Sequence, residues 1–249
     1  MTIRESIRSQ RDKLKGKSFR EHISYFWDYF GIKTIGLLAV ISLLIFLIIE
    51  LNTQKNPGYI GMFFGITEQT SSEAYLEDFA QFAGLDIEND YVVINLSPSI
   101  SLTSSITEEV YQTIEKFTTM ASAKMVDNIA ADTELFLYFS YLGLTSDLRN
   151  VFTEVQISSL ADKIYYIDGV LLQQYQNKES TIAFEDFPDP QHPEAMIDPI
   201  PVGIDISIAT EAFQKVYTLH GTRAVIGICS TSERPETAFS FLLFSLGLS

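Results

Sequence analysis

The side chains best placed for chemistry are hydroxyls and one carboxylate that follow predicted strands. In a doubly wound sheet, ligands bind beyond the carboxyl ends of the strands. The residues expected at these ends are Thr67, Ser97, Ser99, Ser101 and Asp132. Their hydroxyls, together with helix-terminal N–H groups, could bind a small polar ligand. Serine also caps helices and fills turns without any ligand, and that is the commoner reason for its presence there.

Catalysis has few candidates in this sequence. The chain has 3 histidines and 1 cysteine, and it lacks the motifs of zinc hydrolases, dithiol redox proteins, serine hydrolases and P-loop proteins. Cys229 lies in the apolar run 225–229, which is typical of a buried thiol. A hydrolase built from aspartate and serine is the weakest of the possible functions. We therefore expect no enzymatic activity and no cofactor.

Residues 185–201 are rich in acidic side chains and contain five prolines, namely Pro188, Pro190, Pro193, Pro199 and Pro201. Carboxylate oxygens are ligands of calcium, but the segment lacks the D-x-D-x-D-G spacing of a specific calcium loop. A solvated loop stiffened by proline is the preferred interpretation. The sequence predicts no metal site, and it leaves open whether this loop holds an ion.

The net charge of −15 hides two oppositely charged parts. Residues 1–33 contain four acidic side chains and eight basic ones, which are Arg4, Arg8, Arg11, Lys13, Lys15, Lys17, Arg20 and Lys33. The rest of the chain has 9 basic and 28 acidic residues. Such an acidic region does not bind nucleic acid, because phosphate binding needs clustered lysine and arginine. The two parts are expected to face different surroundings.

Residues 32–51 are predicted to form a transmembrane helix in contact with the lipid bilayer. No charged residue occurs from 34 to 49, and about twenty helical residues span a hydrocarbon core of roughly 30 Å. A cleaved signal peptide would need a short leading segment and a small-residue cleavage site, and the sequence offers neither. The segment is therefore expected to remain as a signal anchor.

The basic residues before this helix predict a cytoplasmic N-terminus and an extracytoplasmic C-terminal domain on a bacterial cell membrane. Aromatic and aliphatic residues recur at helical spacing over 18–31, which is typical of an interfacial helix. The predicted organisation is a basic cytoplasmic segment at 1–31, the transmembrane helix at 32–51, a tether at 52–58 and an α/β domain at 59–249.

The α/β domain is predicted from alternating strand and helix patterns. Predicted strands cover 59–64, 91–96, 125–130, 163–169, 201–206 and 224–229, with further short strands at 170–175 and 181–184. Predicted helices cover 72–83, 106–121, 133–142, 153–162, 207–220 and 235–246. Asp132 is expected to cap the helix at 133–142, and Ser232 the helix at 235–246. This alternation is typical of a mainly parallel, doubly wound sheet with helices on both faces.

Two blocks of the domain resemble the type 2 periplasmic binding proteins. The first is residues 127–132, a strand with the pattern D-x-x-x-x-D, followed by a helix and Asp147-Leu148. The second is the strand 224–229, followed by Ser232-Glu233-Arg234-Pro235-Glu236 and a helix. The resemblance implies a ligand cleft between two lobes. Here the second lobe would have to come from about 169–201, which is short, so the chain resembles a reduced and membrane-anchored relative.

Topology and resemblance together predict a binding domain held at the outer surface of the cell membrane. It would recognise a small solute or a peptide, or serve as an accessory to a transporter. The alternative is a structural adaptor that docks another membrane protein without capturing a ligand. The short second lobe favours this alternative, because one lobe cannot enclose a ligand.

Overall fold

The computed structural model describes residues 18–53, 55–102, 108–177, 187–219 and 223–248. The chain divides into two compact units, residues 1–54 and 55–249. Most of the basic segment expected at 1–31, and the strand expected at 181–184, lie outside the described residues.

The described residues of the first unit contain one continuous helix, α1, at Phe19–Thr53. The predicted interfacial helix and the predicted span are therefore parts of a single element of 35 residues. Its described apolar side chains are mostly exposed, from 89% at Ile32 down to 41% at Ile41. Among the side chains that the structure describes, no helical stretch is both long enough and apolar enough to cross a membrane.

The second unit begins close to the end of α1. Because α1 runs to Thr53 and the first strand starts at Asn56, most of the segment expected as a tether lies within these two elements. The strands of the unit are β1 (Asn56–Phe64), β2 (Ile66–Glu68), β3 (Asp90–Ser97), β4 (Asn128–Asp132), β5 (Ile164–Asp168), β6 (Pro199–Asp205), β7 (Tyr217–Leu219) and β8 (Ala224–Ile228). The helices are α2 (Glu73–Phe82), α3 (Glu108–Ser122), α4 (Thr133–Tyr141), α5 (Glu154–Ser159), α6 (Gly169–Gln176), α7 (Glu211–Val216) and α8 (Pro235–Leu246).

The predicted α/β class is confirmed, but the main sheet is mixed rather than mainly parallel. Its six described strands have the order β3-β1-β4-β8-β6-β5. β1 pairs in parallel with both β3 and β4, whereas the β4–β8, β8–β6 and β6–β5 pairs are antiparallel. A separate antiparallel pair joins β2 to β7. The alternation of strands and helices correctly predicted the α/β class. It did not predict the direction of the strands, because direction depends on long-range pairing.

Helices cover both faces of the sheet, as a doubly wound arrangement requires. Alternate residues of β1 point to opposite faces, so Tyr59 and Phe63 enter one core while Met62 and Phe64 enter the other. The first core contains residues of α2, α7 and α8. The second contains residues of α3, α4 and α6.

Two predicted elements were wrong. Residues 170–175 were expected to form a strand, but they belong to α6, which Asp168 starts by accepting a hydrogen bond from the Val170 N–H at 2.9 Å. Residues 207–220 were expected to form one helix. Instead, Thr210 caps the short helix α7, and the chain then extends into β7, which pairs with β2.

The segment expected to supply a second lobe packs against the main sheet. Leu171 and Leu172 of α6 contact the second core. The ring of Phe187 stacks on Tyr141 with 4.0 Å between centroids. The buried Asp168 carboxylate accepts a hydrogen bond from the Ile197 N–H at 2.8 Å. The described parts of 169–201 are therefore built into the same body as the main sheet.

Candidate functional site

The topology places a crevice at the carboxyl ends of β1 and β4. After β1 the chain passes to α2 in the first core, whereas after β4 it passes to α4 in the second core. Adjacent parallel strands whose following helices lie on opposite faces leave a crevice between their ends, and ligands of open α/β sheets bind at such points. The residues at this point are Gly65, Ile66 and Thr67 after β1, and Asp132 at the end of β4.

Ser99 links the two sides of this crevice. Its hydroxyl donates a long hydrogen bond of 3.5 Å to Asp132 Oδ2, and a Cβ built on Gly65 would lie 3.2 Å from Ser99 Cβ. Gly65 also has a φ of +67°, so both its conformation and its surroundings favour glycine. Asp132 accepts a hydrogen bond at 3.0 Å from the Leu135 N–H and thereby caps α4. The capping role predicted for Asp132 is confirmed.

Three of the five predicted binding residues share one surface cavity of about 420 Å³. Thr67, Ser97 and Ser99 contribute to its wall, together with Gly65, Ile66, Glu68, Leu96 and Pro98. Asp132 is connected to this cavity through Ser99 and does not line it. Ser101 is exposed and does not line it either. The cavity opens widely to the surface between β2 and β3, so it is a groove rather than an enclosed cleft.

Sequence reasoning did not identify Glu134 as a candidate site residue. Its Oε1 is buried and has no hydrogen-bond partner among the described atoms. Burial, and next the charge of Asp132, raise the pKa of the Glu134 carboxyl. An acidic residue in the first helical turn ordinarily stabilises the helix dipole. From the sequence alone, Glu134 therefore looks like an ordinary acidic residue in the first turn of a helix.

A second groove lies at the beginning of β3 and has a volume of about 220 Å³. Its apolar residues are Leu76, Ala80, Leu85, Ile87 and Val92. Charged and aromatic residues complete the wall: Lys55, Glu73, Glu77, Asp90 and Tyr91. Sequence reasoning missed this groove, because no motif marks it and the position of β3 at the edge of the sheet is set by long-range pairing.

The two blocks that carry the family resemblance contact each other at the beginning of β4, a central strand of the sheet. Asp127, which is 0% exposed, accepts hydrogen bonds from the Ser232 hydroxyl and from Arg234 Nε at 3.0 Å. It also accepts one from the Ile60 N–H at 2.8 Å. Arg234, rather than the predicted Ser232, is the N-cap residue of α8. This cluster joins β1, β4 and the loop before α8, so its role is structural.

The remaining candidate groups that the structure describes lie apart from this site. Cys229 is buried, and burial raises the pKa of its thiol, which makes a thiolate nucleophile unfavourable. In the acidic loop, His192 Nδ1 lies 2.8 Å from Glu194 Oε1. Over the described residues, which exclude 185 and 186, no group of histidine, cysteine, aspartate or glutamate side chains is arranged to hold a metal ion.

Comparison of the chain with protein-family models, curated proteins and solved structures finds no match. The resemblance to the type 2 binding proteins therefore stays a prediction that rests on the residues quoted for it. What the site can do follows from its geometry alone: among the described residues it offers two grooves and an edge strand, β3.

Proposed function

We propose that this protein is a membrane-anchored extracytoplasmic docking domain, which binds a segment of another membrane protein without catalysing a reaction. The observation that carries the proposal is the position of β3. This strand forms one edge of the sheet, and a groove lies at each of its ends. An exposed edge strand is a ready template for an added strand from a partner.

Docking is favoured over solute capture by the openness of both grooves. Solute-binding sites bury most of the ligand surface, and enclosure in a binding protein needs a second lobe. Here the described parts of 169–201 pack on the main sheet, as the contacts of Phe187 and of Asp168 illustrate. Capture of a small polar solute remains the second candidate, and the hydroxyls of Thr67, Ser97 and Ser99 in one groove favour it.

Anchoring is supported by the sequence of α1 and by the exposure of its apolar side chains. Residues 34–49 contain no charged side chain. Leu38, Leu43 and Phe46 are each more than half exposed, at 58%, 60% and 63%. Exposed apolar side chains around a helix are unfavourable in water and favourable in lipid. Together with the basic residues before the helix, this pattern favours insertion with the N-terminus in the cytoplasm.

Anchoring is tested with the full chain expressed in bacterial cells. We expect it to resist alkaline extraction from membranes, and we expect protease added outside spheroplasts to digest the 55–249 domain while a tag at the N-terminus stays intact. A matched variant with Leu38→Lys, Leu43→Lys and Phe46→Lys should be extracted by alkali, because each central lysine costs about 3 kcal/mol in a membrane. Extraction of the unmodified chain would contradict anchoring.

Docking is tested by photo-crosslinking in intact cells. A benzophenone amino acid replaces Asn95 in the middle of β3, and in a control chain it replaces Val155, which is 79% exposed and lies on α5. We expect a discrete adduct with one membrane protein from position 95 and none from position 155. The solute alternative predicts a different result. No adduct forms at position 95, and a small molecule stabilises the full chain to an extent that Ser99→Ala reduces.

A further inference from the structure

The edge of β3 offers more than an unpaired backbone, because both of its ends carry a groove for a side chain. β3 has 8 residues, and among the described strands it pairs only with β1. In a parallel pair the backbone groups of alternate residues point away from the partner. No other described strand pairs with these outward N–H and C=O groups, so a further extended chain could bind them.

The two grooves are spaced by the period of a strand. Val92 lines the groove at the start of β3, and Leu96 lines the groove at its end. Side chains four residues apart lie on the same face of a strand and about 13 Å apart. Val92 and Leu96 both pack against the first core, which places them on that face. An added strand has the same period, so its side chains at positions i and i+4 would reach the two grooves.

The charge of the groove at the start of β3 favours a basic residue next to the apolar side chain that enters it. Its wall includes the acidic side chains of Glu73, Glu77 and Asp90. Lys55, the one basic residue in that wall, already donates from Nζ to the Ile87 carbonyl at 2.6 Å. The groove therefore complements a lysine or arginine beside the entering apolar side chain. A second copy of the chain is a poor occupant, because 28 acidic and 9 basic residues follow residue 33.

We infer that β3 binds an extended segment of a partner protein that has two apolar side chains four residues apart and a basic residue next to an anchor. This inference rests on the proposed docking function and specifies the chemistry of its partner. The segment extends the sheet by one strand beside β3. Its two anchors enter the grooves at Val92 and at Leu96.

The inference is tested with a synthetic peptide of the sequence KLTVTLK, capped at both ends and labelled with a fluorophore. Its two leucines are four residues apart, and lysines flank them on both sides because the direction of pairing is open. The control peptide KLTVLTK has the same composition but leucines three residues apart, on opposite faces of a strand. Fluorescence anisotropy is measured with the full chain in lipid nanodiscs. We expect KLTVTLK to bind tighter by about ten-fold or more, because the control loses one buried apolar anchor.

Backbone pairing is tested by N-methylation of the same peptide. One series methylates both threonine nitrogens, and the other methylates the central valine nitrogen. In strand addition only alternate N–H groups of the peptide face β3, so one series should lose binding while the other retains it. Equal effects of the two series would overturn strand addition.

The acidic rim is tested with two variants of the same helix. Glu77→Lys reverses a charge in the groove wall, whereas Asp78→Lys makes the same change at an exposed neighbour that does not line the groove. We expect Glu77→Lys to weaken peptide binding about three- to ten-fold, and Asp78→Lys to leave it nearly unchanged. Equal weakening would show general charge attraction and overturn the inference.

Failure of the inference is distinguishable from failure of the docking function. If neither peptide binds while the crosslink from position 95 to a membrane protein persists, the partner chemistry is wrong and docking stands. If position 95 crosslinks only to a second copy of the chain, the inferred occupant is overturned. If no crosslink forms and no peptide binds, both proposals are wrong.

Discussion

Replacement of Arg234 by methionine should destabilise the 55–249 domain strongly, although this residue lies in a surface loop. Arg234 contacts the buried Asp127 carboxylate through Nε at 3.0 Å and through Nη2 at 3.0 Å. The Asp127 side chain is 0% exposed and that of Arg234 is 20% exposed. Removing one partner of a buried ion pair leaves an uncompensated charge and costs about 3–5 kcal/mol. Methionine keeps the apolar stem, so the loss reports on charge rather than packing.

The double variant provides the sharper test. Asp127→Asn alone should also cost about 3–5 kcal/mol, because it leaves the guanidinium without its counter-charge. Once Asp127 is neutral, Arg234→Met removes an unpaired charge instead of breaking a pair. The double variant should therefore be less destabilised than the sum of the two single variants by about 2–3 kcal/mol.

The full chain is unfolded with urea in mild detergent. Near-ultraviolet circular dichroism of tyrosine monitors the unfolding. Trp27 is the single tryptophan and lies in α1, so tryptophan fluorescence would not report on the domain. The buried rings of Tyr59 and Tyr75 do report on it. Glu233→Gln is the control, because it breaks an exposed ion pair with Lys124 in the same region and should cost less than about 1 kcal/mol.

Two results would refute this reasoning. If the single variants lose no more stability than the control, the Asp127 cluster is not a structural junction. If the free energies of the single variants add within about 0.5 kcal/mol in the double variant, the two charges do not act as a pair.

Three further predictions concern the site and its surroundings. Gly65→Ala should lower the free energy of unfolding by about 1–2 kcal/mol in the same urea assay, because φ is +67° there. Cys229 should stay unreactive towards a thiol reagent at pH 8 until urea unfolds the domain, since burial raises its pKa, and rapid labelling of the folded chain would contradict this. The hydrogen bond with Glu194 raises the pKa of His192, so any stability from this contact is present below about pH 6.5 and is lost as pH rises through the raised pKa. NMR titration of the His192 ring should show a higher pKa than in the Glu194→Gln variant.

Local signals predicted elements well where a capping residue and an apolar pattern agreed. α4 follows the Asp132 cap, and α8 covers Pro235–Leu246, as the sequence indicated. The pattern failed at α6, where Val170 to Tyr175 suits a strand or a helix about equally. That choice is made by Asp168, whose carboxylate binds the Val170 N–H and also the Ile197 N–H from a distant segment.

The candidate site was predicted in part, because the rule that ligands bind at carboxyl strand ends needs only the order of strands and helices. Of the residues that this rule selects, Thr67, Ser97 and Ser99 line one groove. Ser101 follows the same strand but is exposed and lies outside the groove. The edge position of β3 follows from strand order, which is a long-range property. No local pattern in 90–97 distinguishes an edge strand from a central one.

In the proposed function, anchoring at the membrane lowers the affinity that the docking surface would need. A strand added to β3 with two side-chain anchors makes a small interface, and small interfaces are typical of weak, transient complexes. Confinement of both partners to one membrane raises their effective concentration towards the ~mM range of short linkers. A dissociation constant far weaker than nanomolar then suffices for occupancy, and reversible exchange of partners becomes possible. Weak binding of the isolated peptide combined with an efficient crosslink in cells is thus the expected result. If the α1 lysine variant described above kept the same crosslinking yield, co-localisation in the membrane would not contribute to docking.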